Sequence, residues 1–350
     1  MKNRARSLSG PWLVGAALLA LGGRSAAAAE APPRPAPEKA KKKPKKPANE
    51  DGWSYRLLVA ANLSLSQSQG VVGLTDGVAT GLGLQLEGRA TYRRGRHAWI
   101  NDLEILHTQS KIATIKRFSK SADRFMIQTM YEYRFLRRPR WGVFAQLRLT
   151  SELFPGSLIR DEAKDLQIFR DGLVVARASI AAQEQFPLTD ALLPLVLKQL
   201  VGAVVKPYTH PALRTTLRLG VGAVQVFTGR GRVMRDDRDT PDVVELRELK
   251  DYDQSGVEVQ ASVRGTAVRK IISYGLSLEV MYPFSTSVPV TVPRPAQWNV
   301  ELRANVTIKV YEWLAISYQL SVVRLPVLLP EWQVAGNLML SFTANVGGQP

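Results

Sequence analysis

The most regular feature of this chain is an alternation of apolar and polar residues that returns many times along its length. Between 298 and 310 the even positions are apolar, from Trp298 to Val310, whereas the odd positions include Glu301, Arg303 and Lys309. A period of two places successive side chains on opposite faces of a β-strand. The pattern therefore predicts strands that have one face in an apolar medium and the other among polar groups.

Eleven segments carry this alternation: 53–66, 82–92, 97–107, 125–135, 141–149, 213–227, 257–263, 272–284, 298–310, 314–322 and 332–346. Many of them exceed the roughly 9 to 11 residues that a tilted strand needs to cross a bilayer. Only 45% of the residues are hydrophobic, which is typical of a barrel with a polar lumen. We expect an all-β fold, an antiparallel up-and-down transmembrane β-barrel over residues 51–350. A soluble β-sandwich is the alternative, with shorter strands and a polar outer face.

Connections of two lengths separate these segments. Short turns near 94–96, 137–140, 264–270 and 311–312 alternate with longer polar connections, which predicts short periplasmic turns and longer outer loops. Bacterial barrels have an even number of strands, so the eleven segments require a twelfth, and 166–182 is the best candidate. The barrel is therefore expected to have about 12 strands.

One segment departs from the alternation. Residues 188–206 contain Thr189 as an N-cap, a run of leucine and valine, and Gly202 near the end, which predicts a helical insertion. Pro194 would lie near its first turn, where proline is tolerated. A plug in the lumen, an interfacial helix and a periplasmic cap all remain open as its role.

Aromatic residues gather near the ends of the predicted strands, on the apolar face. Transmembrane barrels place such residues in girdles at the two membrane interfaces. The residues expected in the girdles are Trp53, Tyr92, Tyr133, Trp141, Phe284, Trp298 and Trp332.

The first 50 residues differ in composition from the rest of the chain. Lys2, Arg4 and Arg6 precede a short apolar core, and alanines at 26–29 supply a cleavage site, which predicts a signal peptide over 1–29. An uncleaved anchor is the alternative, although the apolar stretch is too short to span a bilayer. Residues 30–50 are rich in proline and lysine and predict a disordered periplasmic tether. The expected location is the bacterial outer membrane, after export through a cleaved signal peptide.

The formal net charge of +17 is distributed unevenly. Residues 1–50 hold 11 basic and 3 acidic residues, which leaves 36 basic and 27 acidic residues for the rest of the chain. Because much of the basicity lies in the leader and tether, and no nucleic-acid module is recognised, nucleic acid is not an expected partner. The lysine-rich stretch 39–46 predicts binding of cell wall or of a periplasmic partner, with a solvated spacer as the alternative.

Several short motifs stand in a definite order: Trp53, Asn62-Leu63-Ser64 and Gln67, Tyr92-Arg93-Arg94-Gly95, Trp99-Ile100-Asn101, Lys120-Ser121-Ala122-Asp123, Tyr131-Glu132-Tyr133, Trp141-Gly142-Val143-Phe144-Ala145 and Phe154-Pro155-Gly156. The chain thereby resembles an uncharacterised family of bacterial outer-membrane β-barrel proteins that carries a domain-of-unknown-function label. The likeness covers most of 53–156 and, more loosely, 219–284. The insertion near 188 departs from it.

This resemblance implies a fold and a location, and no activity. It also implies partners: outer-membrane lipid including lipopolysaccharide, and the barrel-assembly machinery, which reads an aromatic residue at the end of such barrels. Gly336, Leu338, Leu340 and Phe342 look similar to that signal, although the sequence continues to Pro350.

Candidate catalytic and metal-binding residues are few. The chain has no cysteine, which excludes disulfides, thiolate metal sites and a cysteine nucleophile. Its three histidines lack metal-ligand spacing, and the aspartates between 236 and 242 match no calcium loop, so we expect no metal and no cofactor. An outer-membrane lipase or protease would need a nucleophile beside a histidine, such as Ser151 or a group near His107, with Asn101 close by. No nucleophile signature accompanies these residues, and the chain is not expected to be an enzyme.

The polar face of the predicted strands is rich in arginine. Candidate pore-lining residues are Arg56, Arg89, Arg124, Arg134, Arg148, Arg214, Arg218, Arg264 and Arg303, with Arg93 on the same register. Glutamates such as Glu87, Glu132 and Glu279 share this face. Two interpretations follow: a salt-bridged network that fills a closed barrel, or a narrow pore whose arginine excess favours anions.

Three functions are therefore open. The first is a non-enzymatic outer-membrane barrel that acts as a narrow, anion-favouring channel or transport component. The second is a structural or anchoring barrel whose lysine-rich tether binds cell wall or a periplasmic partner. The third is an outer-membrane lipase or protease.

Overall fold

The computed structural model describes residues 51–68, 77–111, 115, 117–135, 140–170, 172–234, 243–288, 297–327 and 329–348. These residues form an all-β structure with a single turn of 3-10 helix, Val268–Lys270. No helix among them is long and apolar enough to cross a membrane. The predicted signal peptide, the tether and the aspartates between 236 and 242 lie outside the described residues.

Nineteen strands follow one another in the described ranges of the chain. Twelve of them build the closed wall of one large sheet: β1 (Gly52–Ser68), β2 (Gly77–Arg94), β3 (His97–Lys111), β4 (Ser119–Arg134), β5 (Arg140–Ser151), β10 (Leu195–Lys206), β12 (Leu213–Phe227), β15 (Tyr252–Ala267), β16 (Ile272–Thr286), β17 (Asn299–Lys309), β18 (Leu314–Leu325) and β19 (Leu329–Gly348). The others are β6 (Gly156–Ile159), β7 (Lys164–Arg170), β8 (Leu173–Ile180), β9 (Gln185–Thr189), β11 (Thr209–His210), β13 (Arg232–Met234) and β14 (Val243–Glu248). The two-residue strand β11 also belongs to the large sheet, through its pairing with β12.

The large sheet closes on itself. Each of the twelve wall strands pairs with the next in an antiparallel manner, and β19 returns to pair with β1 from Tyr55 opposite Gly348 to Gln67 opposite Gly336. Strand β10 follows the long connection after β5, and it completes the wall by pairing with both β5 and β12. Closure leaves no edge of the wall with unpaired backbone groups. The expected up-and-down barrel of about 12 strands is confirmed.

The two faces of the wall differ in the way that the alternation predicts. Large apolar side chains such as Leu84 and Leu219 are exposed on the outer face. Polar side chains on the inner face are buried, among them Asn62, Glu132 and Glu258. A soluble sandwich would have the reverse arrangement, whereas a transmembrane barrel has an apolar outer band and a polar interior.

The barrel has two unlike ends. Five of its connections are short, such as Gly95 between β2 and β3, and all of them lie at the end where β1 begins and β19 finishes; we call this the short-turn end. The connections that contain β6–β9 and β13–β14 lie at the opposite end, the long-connection end.

The predicted helical insertion over 188–206 is wrong, because 195–206 is barrel strand β10. The even positions of β10 face the inside of the barrel, where Lys198 and Lys206 make ion pairs. Leu200 and Val204, on the same face, pack against Met130 and Phe144. These inward apolar residues hide the period of two, since both faces of β10 carry leucine or valine. The apparent helical spacing arises from a strand that is apolar on both sides.

The twelfth strand therefore exists, but not at 166–182. That region forms β7 and β8, which pair with each other and, with β13 and β14, build a separate four-stranded sheet that we call the cap sheet. Its core is a cluster of buried side chains: Leu158, Leu166, Ile168, Ile180, Met234, Val244 and Leu246. Strands β7 and β14 pair in parallel, which joins the β5–β10 connection to the β12–β15 connection.

Candidate functional site

The lumen is where charged side chains from distant strands meet. Arg148 on β5 contacts Glu279 on β16, although three other strands separate β5 from β16 around the wall. Arg218 on β12 reaches Glu132 on β4 in the same way, past β10 and β5. Side chains of non-adjacent strands can meet only inside the barrel, so these contacts identify the inner face.

A group of four charged residues spans the lumen, and we call it the crossing network. Arg148 donates two hydrogen bonds to Glu279, of 3.1 and 2.9 Å, in a bidentate arrangement. Lys198 Nζ lies 2.7 Å from a carboxylate oxygen of Glu279 and 2.7 Å from one of Glu258. Two cations and two carboxylates thus neutralise one another, as burial of charge requires.

Amides extend the crossing network along the wall. The Nε of Arg148 donates to Gln128 at 2.9 Å, and Gln128 donates to Asp102 at 3.4 Å. Asp102 also accepts a hydrogen bond of 2.5 Å from Arg89. The chain of contacts leads from β2 to β16 through side chains alone.

A second group of charged side chains lies in the lumen closer to the short-turn end than the crossing network, and it consists of Glu132, Lys206 and Arg218. Glu132 is almost completely buried and accepts hydrogen bonds from Lys206 and from Arg218, the latter at 3.3 Å. The guanidinium of Arg218 also lies 5.6 Å from the centre of the Phe144 ring. One carboxylate therefore balances two cations here.

The nine candidate pore-lining arginines differ in their partners. Arg89, Arg148 and Arg218 take part in the contacts above, Arg124 lies 3.7 Å from Glu104, and Arg303 pairs with Glu301. For the remaining four, no described residue accepts a hydrogen bond from their guanidinium groups: Arg56, Arg134, Arg214 and Arg264. Arg56 and Arg264 are also exposed, although both share the inner face, so solvent reaches this part of the lumen.

The predicted girdle residues lie at both ends of the barrel. Trp53 and Tyr92 pack against each other at the short-turn end with ring centres 5.2 Å apart, and Tyr133 and Trp141 lie at the same end. At the long-connection end, Trp298 packs against Tyr282, and Trp332 lies 5.6 Å from the guanidinium of Arg324; Phe284 is exposed nearby. Their place at the membrane interfaces stays a prediction.

The residues of the enzyme hypothesis are not assembled into a catalytic arrangement. His107 lies 3.9 Å from Asp123 and packs against the Phe154 ring at a tilt, whereas the hydroxyl of Ser151 donates to the carbonyl oxygen of Leu192 at 2.6 Å. Within the described part of the chain, no group of three or more His, Asp or Glu residues is placed to hold a metal ion.

Outside the wall, a small polar junction joins β12 to β14 and β15. Thr228 donates to Asp251 from both its backbone N–H (2.7 Å) and its hydroxyl (2.8 Å), and these hydrogen bonds lower the pKa of Asp251. Arg170 on β7 donates to Glu248 at 2.6 Å and lowers the pKa of that carboxyl. These residues line a groove of about 560 Å³ between cap sheet and barrel.

The alternation does not identify Lys198 and Lys206, or the acidic residues Asp102 and Glu104, as lumen residues. Lys198 and Lys206 were assigned to the predicted helix, so neither was expected on the inner face. Strict alternation over 195–206 places both lysines on the same face as Leu200, because Lys198 is two residues and Lys206 six residues away from it.

No protein-family model and no curated protein sequence matches this chain, so its membership of the uncharacterised barrel family stays a prediction. Solved structures similar to it include the COG4313 outer membrane channel from Pseudomonas putida F1, at 12% identity and a TM-score of 0.41, covering 87% of this chain and 100% of that one. The P. putida toluene transporter TodX follows at 10% identity and a TM-score of 0.34, covering 86% and 91%. The translocator domain of the autotransporter NalP from Neisseria meningitidis has 9% identity and a TM-score of 0.32, covering 84% and 89%. These are distant likenesses between barrels, and conclusions about this chain rest on its own geometry.

Proposed function

We propose that this chain is a bacterial outer-membrane β-barrel that acts as a narrow, anion-favouring channel. An apolar outer face on a closed wall suits a bilayer, and barrels of this kind occupy outer membranes. The observation that carries the channel proposal is the presence of solvent-exposed arginines at the short-turn end of the lumen that hydrogen-bond to no described carboxylate, Arg56 and Arg264 above all. Basic residues that line a pore attract anions and repel cations.

The crossing network sets the width of this channel. Arg148, Lys198, Glu258 and Glu279 reach across the lumen and bind one another, so they leave less room there than at the short-turn end. A barrel of twelve strands lies between the filled eight-stranded barrels and the open sixteen-stranded porins. The proposed channel is therefore narrow, and the crossing network is its constriction.

Conductance in planar bilayers tests the proposal. The refolded protein should open small, steady channels whose reversal potential in a potassium chloride gradient has the sign of chloride permeation. The double variant Arg148→Met/Glu279→Met removes one cation and one anion from the constriction. Its single-channel conductance should rise with little change in selectivity, because the net charge of the lumen stays the same.

The matched control is Arg269→Met/Glu312→Met, which removes the same two charges from exposed residues in short turns. It should conduct like the wild type. A silent bilayer, with the folded barrel shown by heat-modifiable gel mobility, would contradict the channel, and cation selectivity would contradict its preference. A silent barrel whose residues 39–46 cross-link to cell wall would favour the anchoring alternative.

A further inference from the structure

Four lumen arginines form two pairs of like charges across neighbouring strands. Arg56 on β1 lies directly opposite Arg89 on β2, and Arg214 on β12 lies directly opposite Arg264 on β15. Like charges at directly opposed positions destabilise a sheet. The strand register relieves this cost only in part: Arg89 is also opposite Asp102 on β3 and hydrogen-bonds to it, whereas the residue opposite Arg264 on β16 is Gly275.

The two pairs face each other across the lumen. Strands β1 and β2 stand on the side of the barrel opposite to β12 and β15 in the strand order. Arg264 is within electrostatic range of Arg89 and Arg218, which repel it, and of Asp102 and Glu87, which attract it. We call Arg56, Arg89, Arg214 and Arg264 the arginine cluster.

The carboxylates near the arginine cluster are too few to neutralise it. Asp102 accepts a hydrogen bond from Arg89 but also from Gln128, and Glu132 is shared by Lys206 and Arg218. Glu87 is the remaining acidic neighbour; it lies within electrostatic range of Arg56, Arg89 and Arg264, and also of Glu104. The unpaired Arg134 adds positive charge near Lys206. Positive charges therefore remain in excess around a space that solvent reaches.

We propose that the arginine cluster is a binding site for a small tetrahedral oxyanion with two negative charges, of the phosphate or sulfate class. Planar guanidinium groups bind such oxygens with paired hydrogen bonds, and the arginine cluster presents four of them at one end of the lumen. The bound anion would also remove the repulsion within each arginine pair. The inference deepens the proposed function, since it names a ligand for the lumen, and it rests on that function only in requiring a lumen open to solvent.

Calorimetric titration of the folded full-length barrel with inorganic phosphate tests the site. At constant ionic strength, saturable binding of one phosphate per barrel is expected, with sulfate competing and acetate failing to compete. The variant Arg214→Gln/Arg264→Gln should weaken phosphate binding by about tenfold or more, because it removes charge-assisted hydrogen bonds.

The control variant Arg124→Gln/Arg303→Gln removes the same charge from lumen arginines that have glutamate partners. It should change phosphate affinity less than about threefold, the range expected from screened charge alone. Equal weakening by both variants, or no saturable binding by the wild type, would overturn the site. Should the first variant not fold, Arg264→Lys keeps the charge but loses the paired geometry, and unchanged affinity in it would equally count against the site.

Stability provides a second readout. In phosphate-free buffer, Arg214→Gln/Arg264→Gln should unfold at the same or a higher urea concentration than the wild type, since it removes a repulsive pair. Phosphate should stabilise the wild type and not the variant. Loss of stability in phosphate-free buffer would show that the arginines serve as structural salt bridges, against the proposal.

The failure of the site and the failure of the channel are separable. Saturable, cluster-dependent phosphate binding in a barrel that never conducts would overturn the channel and keep the site. Anion-selective current that phosphate does not reduce, together with no calorimetric binding, would overturn the site and keep the channel.

Discussion

At the scale of single residues, partners matter more than position on the strand. The alternation put Arg148 and Arg264 on the same face, yet Arg148 has a bidentate carboxylate partner and no described residue accepts a hydrogen bond from Arg264. The sequence could predict the face, because a period of two is a local property. It could not predict the partner, since Arg148 and Glu279 are 131 residues apart and meet only after closure of the barrel.

The hydrogen bonds from Thr228 to Asp251 predict how the stability of the polar junction depends on pH. Its two hydrogen bonds favour the ionised form of Asp251 and lower the pKa of that carboxyl below the ordinary 3.8. A lowered folded-state pKa stabilises the junction above the ordinary value, and the stabilisation is lost as the pH falls through the lowered one. Thr228→Val removes the hydroxyl donor, so the pKa of Asp251 should rise and the junction should open at higher pH.

Hydrogen exchange of residues 243–251 between about pH 2 and pH 5 checks this expectation. The variant should lose protection at a higher pH than the wild type, with a loss of about 1 kcal/mol in local stability near neutral pH. Thr266→Val, whose hydroxyl makes only a 3.5 Å contact with a carbonyl oxygen, is the control and should behave as the wild type. Identical pH profiles for Thr228→Val and the wild type would contradict the assigned role of Thr228.

At the scale of elements, strand β10 shows why the alternation of apolar and polar residues does not predict every strand of the barrel. Eleven barrel strands were predictable because one face of each is mostly apolar and the other mostly polar. In β10 the inner face combines Lys198 and Lys206 with buried Leu200 and Val204, so contacts inside the lumen, rather than contact with lipid, explain these two apolar residues. The cap sheet was missed for a similar reason: its strands are short and bury their apolar residues only against one another.

The apolar cluster that β10 contributes to the inside of the barrel predicts how far a substitution there lowers the stability of the barrel. Leu200 is 1% exposed and packs with Met130, Phe144 and Val204. Leu200→Ala should destabilise the barrel by about 2–5 kcal/mol, because it leaves a cavity among rigid neighbours.

Urea unfolding in lipid vesicles measures this loss. Leu219→Ala, at an outer-face position that is 55% exposed, is the matched control and should cost clearly less, because lipid can fill the space. Equal losses at the two positions would contradict the placement of Leu200 inside the barrel.

At the scale of the whole molecule, the barrel and the cap sheet have separate cores. The cap-sheet cluster contains no residue of the twelve barrel strands, and the inward cluster around Leu200 contains none of the cap sheet. We therefore expect the cap sheet to unfold without loss of the barrel.

Leu246→Asp tests this independence. Leu246 is completely buried in the cap sheet, and an unpaired carboxylate there costs several kcal/mol. The variant should become sensitive to protease within 156–248 while its heat-modifiable gel mobility persists. Leu173→Asp, at a position that is 72% exposed in the same sheet, should remain resistant. Loss of the barrel in the first variant would show that the two parts fold as one unit.

The parallel pairing of β7 with β14 has a mechanical consequence for the wall. It links the β5–β10 connection to the β12–β15 connection across the rim of the barrel at the long-connection end. Separation of strands between β5 and β15 at that rim therefore requires this pairing to open or the segments that flank it to extend. In the described residues the other half of the barrel, which contains the seam between β1 and β19, has no such link between its connections. Because β14 follows β12 in the chain, the pairing cannot form before β10 and β12 have been synthesised.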